Sequence, residues 1–346
     1  MGLANLGNTC FLNACLQVLN HVYELHEILD SDKCKYILKT DLPDSRIIQE
    51  WNELRKIMWS NPAGVISPNK FVHNIQLLAR KKNRDIFTGW AQNDISEFLL
   101  FMMDCIHNSI SRTVKIQISG NPDNSVDKLA IECYTTLKRA YEKEYSEILD
   151  LFYGIYVSEI RNMEDGGEGG KIYSIKPEQY FILDLPIVDG HNQPITDIGR
   201  ALSEFTRNEV LYGDNEWLNE KTGRKEPVKK RMIFWNFPKI LIISLKRFSS
   251  NGQYKLNHCV DFPLNDWDIS NFVQGYNKSS FVYDLIGVCN HIGGVTGGHY
   301  TAFAKKMATN EWFHYNDTHV HAVNQLSEIV SPVAYTLFYR KKNNLL

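Results

Sequence analysis

Gly2-Leu3-Ala4-Asn5-Leu6-Gly7-Asn8-Thr9-Cys10-Phe11-Leu12-Asn13-Ala14-Cys15-Leu16-Gln17 reads as a turn followed at once by a helix. From Cys10 to Val22 the apolar positions Phe11, Cys15, Leu16, Val18 and Leu19 fall on one side of a 3.6-residue spiral. Asn8 and Thr9 stand where an N-cap belongs, and Gly7 lets the chain turn tightly before them. Cys10 is therefore predicted at the start of a helix. Unpaired N–H groups and the helix dipole favour negative charge there, so the position predicts a lowered thiol pKa. Cys15 lies on the apolar face of the same helix and reads as core. Asn5, five residues before Cys10, reads either as a turn residue or as an amide donor to the oxyanion that a thiolate makes on a carbonyl.

A nucleophilic thiol needs a base. Among 11 histidines, His299 follows Gly293-Gly294-Val295-Thr296-Gly297-Gly298 and precedes the strand-like Tyr300-Thr301-Ala302-Phe303, a setting in which a His can face a cleft. The same pattern also fits a glycine-rich hairpin with an exposed His. Asn316 and Asp317, after the strand-like Trp312-Phe313-His314-Tyr315, are candidates to orient the base. His314, His319 and His321 read as surface or core residues, because no carboxylate or Cys completes a metal-ligand spacing with them.

Outward from these segments, the chain is helical first and β-rich later. Helices are predicted from about Asp94 to Ile110 and from about Lys128 to Leu151. Strand-like runs are Ile155 to Ile160, Tyr180 to Leu185, Ile240 to Lys246, Phe281 to Asn290, Tyr300 to Lys305, Trp312 to Tyr315 and Ala334 to Arg340. Glu164 to Gly170 reads as a hairpin tip or disordered loop, and Tyr212 to Lys230 as an exposed polar stretch. This order indicates an α+β fold. The 346 residues carry a net charge of −2, which gives no sign of a general nucleic-acid binder. Seven cysteines without a Cys-x-x-Cys pair fit reduced thiols and not a disulfide framework. No apolar run reaches membrane-spanning length, and the N-terminus lacks a signal-peptide pattern. A cytoplasmic or nuclear protein is expected.

Several segments resemble the ubiquitin-specific proteases. Gly2 to Gln17 looks like their Cys box, Gln92-Asn93-Asp94-Ile95-Ser96-Glu97-Phe98 their Gln-x-Asp-x-x-Glu-Phe segment, and Ser146 to Gly154 the entry to their fingers. Leu245-Lys246-Arg247-Phe248 resembles a further strand motif. Asn290-His291, Gly297 to Ala302, Trp312 and Tyr315-Asn316-Asp317 resemble their His box, and Ala334 to Tyr339 their closing strand. The resemblance spans nearly the whole chain. It implies a papain-like core of helical thumb, β-rich palm and β fingers, forming a single catalytic domain over 1–346. The approximate subdomains are a thumb at 1–150, fingers with part of the palm at 151–235, and a palm at 236–346.

By position, the resemblance implies Cys10 as nucleophile, His299 as base, Asn316 as third triad member and Asn5 as oxyanion donor, with Asp317 able to share or replace the role of Asn316. It implies that Asp94, Glu97, Gln92, Tyr300 and Gly298 receive the arginine-bearing C-terminal tail of ubiquitin. The acids at 94 and 97 also suit a helix N-terminus. The Ser249–Asn257 and Ile292–Gly298 loops would border the tail channel, the second being mobile through its glycines. Many relatives carry two Cys-x-x-Cys pairs in the fingers. Here Val157 to Glu164 and Tyr212 to Leu218 contain no Cys, so fingers without zinc are expected. No cofactor is implied. The implied partners are ubiquitin and ubiquitinated proteins, with the chain a monomer or joined to a targeting partner. Two other readings are a protease for another ubiquitin-like modifier and a silent ubiquitin-binding scaffold.

Overall fold

The helix expected from Cys10 is α1 (Cys10–Leu19), and all ten of its residues are buried. The one-sided apolar pattern thus understates its burial. The computed structural model, which describes residues 1–60, 64–84, 86–87, 91–163, 170–249 and 251–342, sets α1 between the other helices and a large sheet. The polar residues of so buried a helix must find partners. Asn13 Nδ2 donates to the carbonyls of Leu3 (3.4 Å) and Ala4 (3.3 Å), and Gln17 Nε2 to that of Met1 (2.9 Å). These bonds dock the short strand β1 (Gly2–Leu3), which pairs in parallel with β2 (Val65–Ile66).

The rest of the helical half is α2 (Tyr23–Asp30), α3 (Asp32–Ile37), α4 (Ser45–Ser60), α5 (Asn69–Lys81), α6 (Ile95–Ile110), α7 (Ser125–Tyr141) and α8 (Glu147–Phe152). The last two occupy what the sequence suggested as one helix from Lys128 to Leu151. The break has a visible cause. Arg112 and Tyr145 exchange backbone hydrogen bonds of 2.9 and 2.8 Å, which pulls Tyr145 out of helical geometry.

Two larger sheets dominate the β-rich half among the described residues. The larger runs β15 (His319–Ala322), β14 (Glu311–Asn316), β13 (Gly297–Lys306), β12 (Val282–Gly294), β16 (Ala334–Lys341), β10 (Ile240–Leu245) and β5 (Ile182–Leu185), with β11 (Trp267–Asp268) paired to β12. One face packs on α1 and its neighbours; the other carries a second core that includes α9 (Ile198–Phe205). The smaller sheet orders β4 (Ile172–Tyr180), β3 (Gly154–Asn162), β9 (Val228–Asn236) and β6 (Glu209–Leu211). The predicted strand Tyr180 to Leu185 is divided at Phe181, where the chain passes from one sheet to the other. The stretch 212–230 is also more ordered than its composition suggested, holding a hairpin of β7 (Trp217–Asn219) and β8 (Arg224–Glu226) and the start of β9. Trp217 stacks on Tyr173, with ring centroids 5.9 Å apart, so an aromatic pair anchors a segment that charge alone would leave in water. Residues 164–169 of the acidic glycine stretch lie outside the described residues.

The smaller sheet contains a buried charge. Glu159 is 5% exposed and accepts from Arg161 Nε (2.6 Å) and Arg231 Nε (2.7 Å). Burial pushes its carboxyl pKa up, but the two guanidinium groups override this and hold it below the ordinary value. Removing the anion strands two cations that are themselves partly covered. Glu159→Ala is expected to cost about 2–3 kcal/mol in chemical denaturation at pH 7. Because the folded pKa is lowered, the contribution is complete above the unfolded value of 4.5 and disappears as pH falls through the folded one. The gap between wild type and variant should therefore narrow in acid.

Candidate active site

The turn before α1 is built by Asn5. Its Oδ1 accepts from the N–H groups of Gly7 (3.0 Å) and Thr9 (3.1 Å), and Thr9 Oγ1 accepts from Leu6 N (2.9 Å). Gly7 and Asn8 take φ of 100° and 54°, a left-handed pair that few other residues tolerate. Thr9 is the N-cap position, but its hydroxyl serves the turn and makes no cap bond to the helix. With Oδ1 committed, the Asn5 amide has a fixed orientation. Its Nδ2 donates one hydrogen to Asp317 Oδ2 (3.0 Å), which leaves the second for another acceptor.

Cys10 opens α1 and is 3% exposed. Burial pushes its thiol pKa up. The N–H groups of Tyr300, Phe11 and Cys10 itself pull it down, while the Asp317 charge pushes it up. The net result lies above the ordinary value, opposite to the expectation from the helix terminus. Desolvation of a thiolate outweighs a few N–H dipoles here.

The N–H of Tyr300 that reaches the thiol belongs to β13, and the preceding residue is His299. The His299 ring is half-buried, with Nε2 2.7 Å from Asn316 Oδ1 at the end of β14. An amide oxygen only accepts, so Nε2 carries a proton, and in the neutral ring the lone pair lies on Nδ1. Asp317, next in the chain, makes a different set of contacts. It sits at φ 48° in the turn from β14 to β15. Its carboxylate accepts from Asn5 and from Asn13 Nδ2 (2.8 Å), and its carbonyl accepts from Leu3 N (2.9 Å). Asn316 thus holds the His, whereas Asp317 holds the turn before the Cys.

Gln92, Asp94 and Glu97 lie at the start of α6. Asp94 is the N-cap: Oδ1 accepts from Ser96 N (2.7 Å) and Glu97 N (3.4 Å), while Oδ2 accepts from Tyr335 Oη (2.6 Å). Glu97 is exposed and has no ion-pair partner among the described residues. Burial and the Asp94 charge push its pKa up. Gln92 uses both ends of its amide on one residue, donating to Gly298 O (2.5 Å) and accepting from Gly298 N (2.6 Å). Gly298 in turn lies so near His291 that a Cβ there would meet Nε2 at 2.4 Å. The glycine stretch before His299 is a tight hairpin and not an open loop, since Ile292, Gly293 and Gly294 pair with His299, Gly298 and Gly297.

Beside Tyr300 lies an aromatic cluster of His291, Phe248 and Tyr335, with ring centroids 4.8 to 6.3 Å apart. Burial, with the Lys255 charge, lowers the His291 pKa to about 4, so the ring is neutral near pH 7. Reasoning from sequence assigned no role to His291, Phe248, Tyr335 or Asn13. Asn13 had a signal, being a polar residue inside an apolar helix.

A family model described as Ubiquitin carboxyl-terminal hydrolase matches residues 1–339. The chain belongs to the ubiquitin carboxyl-terminal hydrolase family. It is 35% identical over 349 residues to ubiquitin carboxyl-terminal hydrolase 2 of Homo sapiens, covering 98% of this chain and 54% of the human one. Against the Gallus gallus protein of that name it is 33% identical, covering 98% and 92%. Ubiquitin carboxyl-terminal hydrolase 4 of Saccharomyces cerevisiae is 28% identical, covering 99% and 39%. The chain spans about half the length of the mammalian relatives it matches. A solved structure of the SAGA DUB module, with Ubp8, Sgf11, Sus1 and Sgf73 bound to monoubiquitin, has a TM-score of 0.68 at 22% identity, covering 99% of this chain and 69% of that one. This likeness is one of fold: the α+β, papain-like architecture with thumb, palm and fingers. In this chain α1 packs on β13 and β14, Asn316 bonds His299, and Asp317, whose charge acts on Cys10, bonds Asn5. The α6 N-terminus brings Gln92 to Gly298 and sets Asp94 beside Tyr335 and Tyr300, with Glu97 next to Asp94.

Proposed function

We propose that this chain is a thiol protease that hydrolyses the isopeptide or peptide bond after the C-terminal glycine of ubiquitin. One observation carries the reading: α1, which Cys10 opens, packs directly on β13, whose His299 has its Nε2 held by Asn316 at 2.7 Å. With Nε2 protonated, Nδ1 of His299 takes the thiol proton as Cys10 attacks the glycine carbonyl. The second N–H of Asn5 stabilises the oxyanion. His299 then protonates the leaving amine, and the acyl-enzyme thioester is cleaved by a water that His299 deprotonates. No cofactor enters the scheme. Residues 1–346 act as a single catalytic domain, in the cytoplasm or nucleus, where its seven free cysteines stay reduced. The comparison structure bound to monoubiquitin supports ubiquitin as the partner.

The tail-binding role divides unequally between the two acids. Asp94 already serves its helix and Tyr335, whereas Glu97 is an exposed carboxylate with a raised pKa and no ion-pair partner among the described residues. An arginine of the tail restores that balance through a charge-assisted bond. Glu97→Gln is expected to raise KM about tenfold with kcat nearly unchanged, the pattern of lost uniform binding. The reading as a whole is tested by release of a fluorophore from the C-terminus of ubiquitin. Turnover that Cys10→Ala abolishes supports it. Turnover only on another ubiquitin-like modifier moves the activity to that modifier, and none on any modifier leaves a binding scaffold.

A further inference from the structure

Among the described residues, the hairpin that carries His299 has no strand paired to its β12 side beyond Asn290. Strand β16 begins at Ala334, and the last backbone bond on that side is His291 N to Val333 O (2.8 Å). In a strand the N–H and C=O of one residue point the same way, and residues two apart share that direction. The carbonyls of His291 and Gly293 therefore face the side where β16 is missing. Both are met by one side chain. Lys255 Nζ lies 2.5 Å from His291 O and 3.4 Å from Gly293 O. Its stem is placed by the bridge between Lys255 and Phe248 and by the Phe248 ring, whose centroid is 6.0 Å from Nζ. Gly293 has φ 121°, and a Cβ there would meet Gly297 O and Gly298 Cα at 2.6 Å, so the backbone here is tightly specified.

We propose that Lys255 is a positioning residue for the reaction, an ammonium that stands in for the missing strand and fixes the hairpin on which Gly298 and His299 are presented. The inference rests on the proteolytic reading above. Two anchors hold the hairpin from opposite sides: the Gln92 amide on Gly298 from the thumb, and Lys255 on His291 and Gly293 from the palm. Burial, then the neighbouring Arg247 charge, lower the Lys255 pKa, while its bonds to the two carbonyls favour the charged form. Arg247 does similar work at the base of the same loop, donating to the carbonyls of Ala334, Leu256 and His258.

The test compares wild type, Lys255→Met and Lys255→Arg by steady-state turnover of ubiquitin carrying a C-terminal fluorophore, and by amide hydrogen exchange of the free proteins. Lys255→Met keeps the stem and loses the charge. The expected result is a kcat lowered about tenfold with a smaller change in KM, faster exchange across Gly293 to Gly298, and partial recovery of both in Lys255→Arg. Unchanged kcat with unchanged hairpin exchange would overturn the proposal. So would a rise in KM alone that salt abolishes, because that marks a direct contact with substrate. If wild type does not turn over, the proteolytic reading has failed, and with it the catalytic part of this proposal; the exchange data then report only on the structural anchor.

Discussion

Asp317→Ala is expected to lower kcat on a ubiquitin C-terminal amide by about a hundredfold or more, while Asn316→Ala acts through a different step. The reason lies in the contacts of each side chain. Asp317 accepts from both Asn5 and Asn13, so its loss removes the bond that aims the Asn5 NH2, leaving the amide held only through Oδ1, and takes one partner from Asn13, which docks β1 on α1. Losing one oxyanion donor costs about 10²–10³ in kcat in well-studied acyl transfer. The variant also loses a negative charge that raises the Cys10 pKa, so the reactivity of the free thiol should rise even as catalysis falls. Asn316→Ala instead releases Nε2 of His299 and lets the ring choose the wrong tautomer. It should lower catalysis without raising thiol reactivity. Parallel measurement of turnover and of alkylation by iodoacetamide separates the two roles. Equal losses in both assays for both variants would contradict the division.

In the absence of ubiquitin, wild-type Cys10 is expected to alkylate slowly at pH 7.5 and to gain reactivity as pH rises past 9. Burial dominates the balance at this thiol and raises its pKa above the ordinary 9.0. A thiol whose pKa is raised is held mainly in the neutral, unreactive form at pH 7.5. Since thiolate is the charged form, desolvation disfavours it, and the fraction grows only as pH climbs toward the raised value. A plateau of fast alkylation from about pH 6 upward would instead show a preformed thiolate–imidazolium pair. The measurement is a second-order alkylation rate across pH 6 to 10, with Cys10→Ala as the blank for the other six cysteines.

Local pattern was informative where local chemistry decides structure. The helix at Cys10, the strand after His299 and the strands at Ile240 and Ala334 follow from period and side-chain type, and each is present. What escaped the sequence depends on distant partners. The break between α7 and α8 comes from Tyr145 pairing with Arg112, more than thirty residues earlier. The hairpin at 217–226 is anchored by Trp217 on Tyr173, inside a stretch whose charge suggested an exposed loop. The Cys10 pKa was misread because helix position is visible in sequence and burial is not. Asn316 and Asp317 could not be separated from adjacency alone. A turn with φ 48° at Asp317 sends their side chains to different targets. Gln92 looked like a contact for substrate, and the structure shows its amide already spent on Gly298.

The most direct test of the central claim is ubiquitin carrying an electrophile in place of its C-terminal carboxylate, incubated with the protein and mapped by peptide mass spectrometry. A single covalent adduct is expected on Cys10, absent in Cys10→Ala and strongly slowed in Glu97→Gln at low ubiquitin concentration. An adduct on another cysteine, or none while the protein is folded, would contradict it.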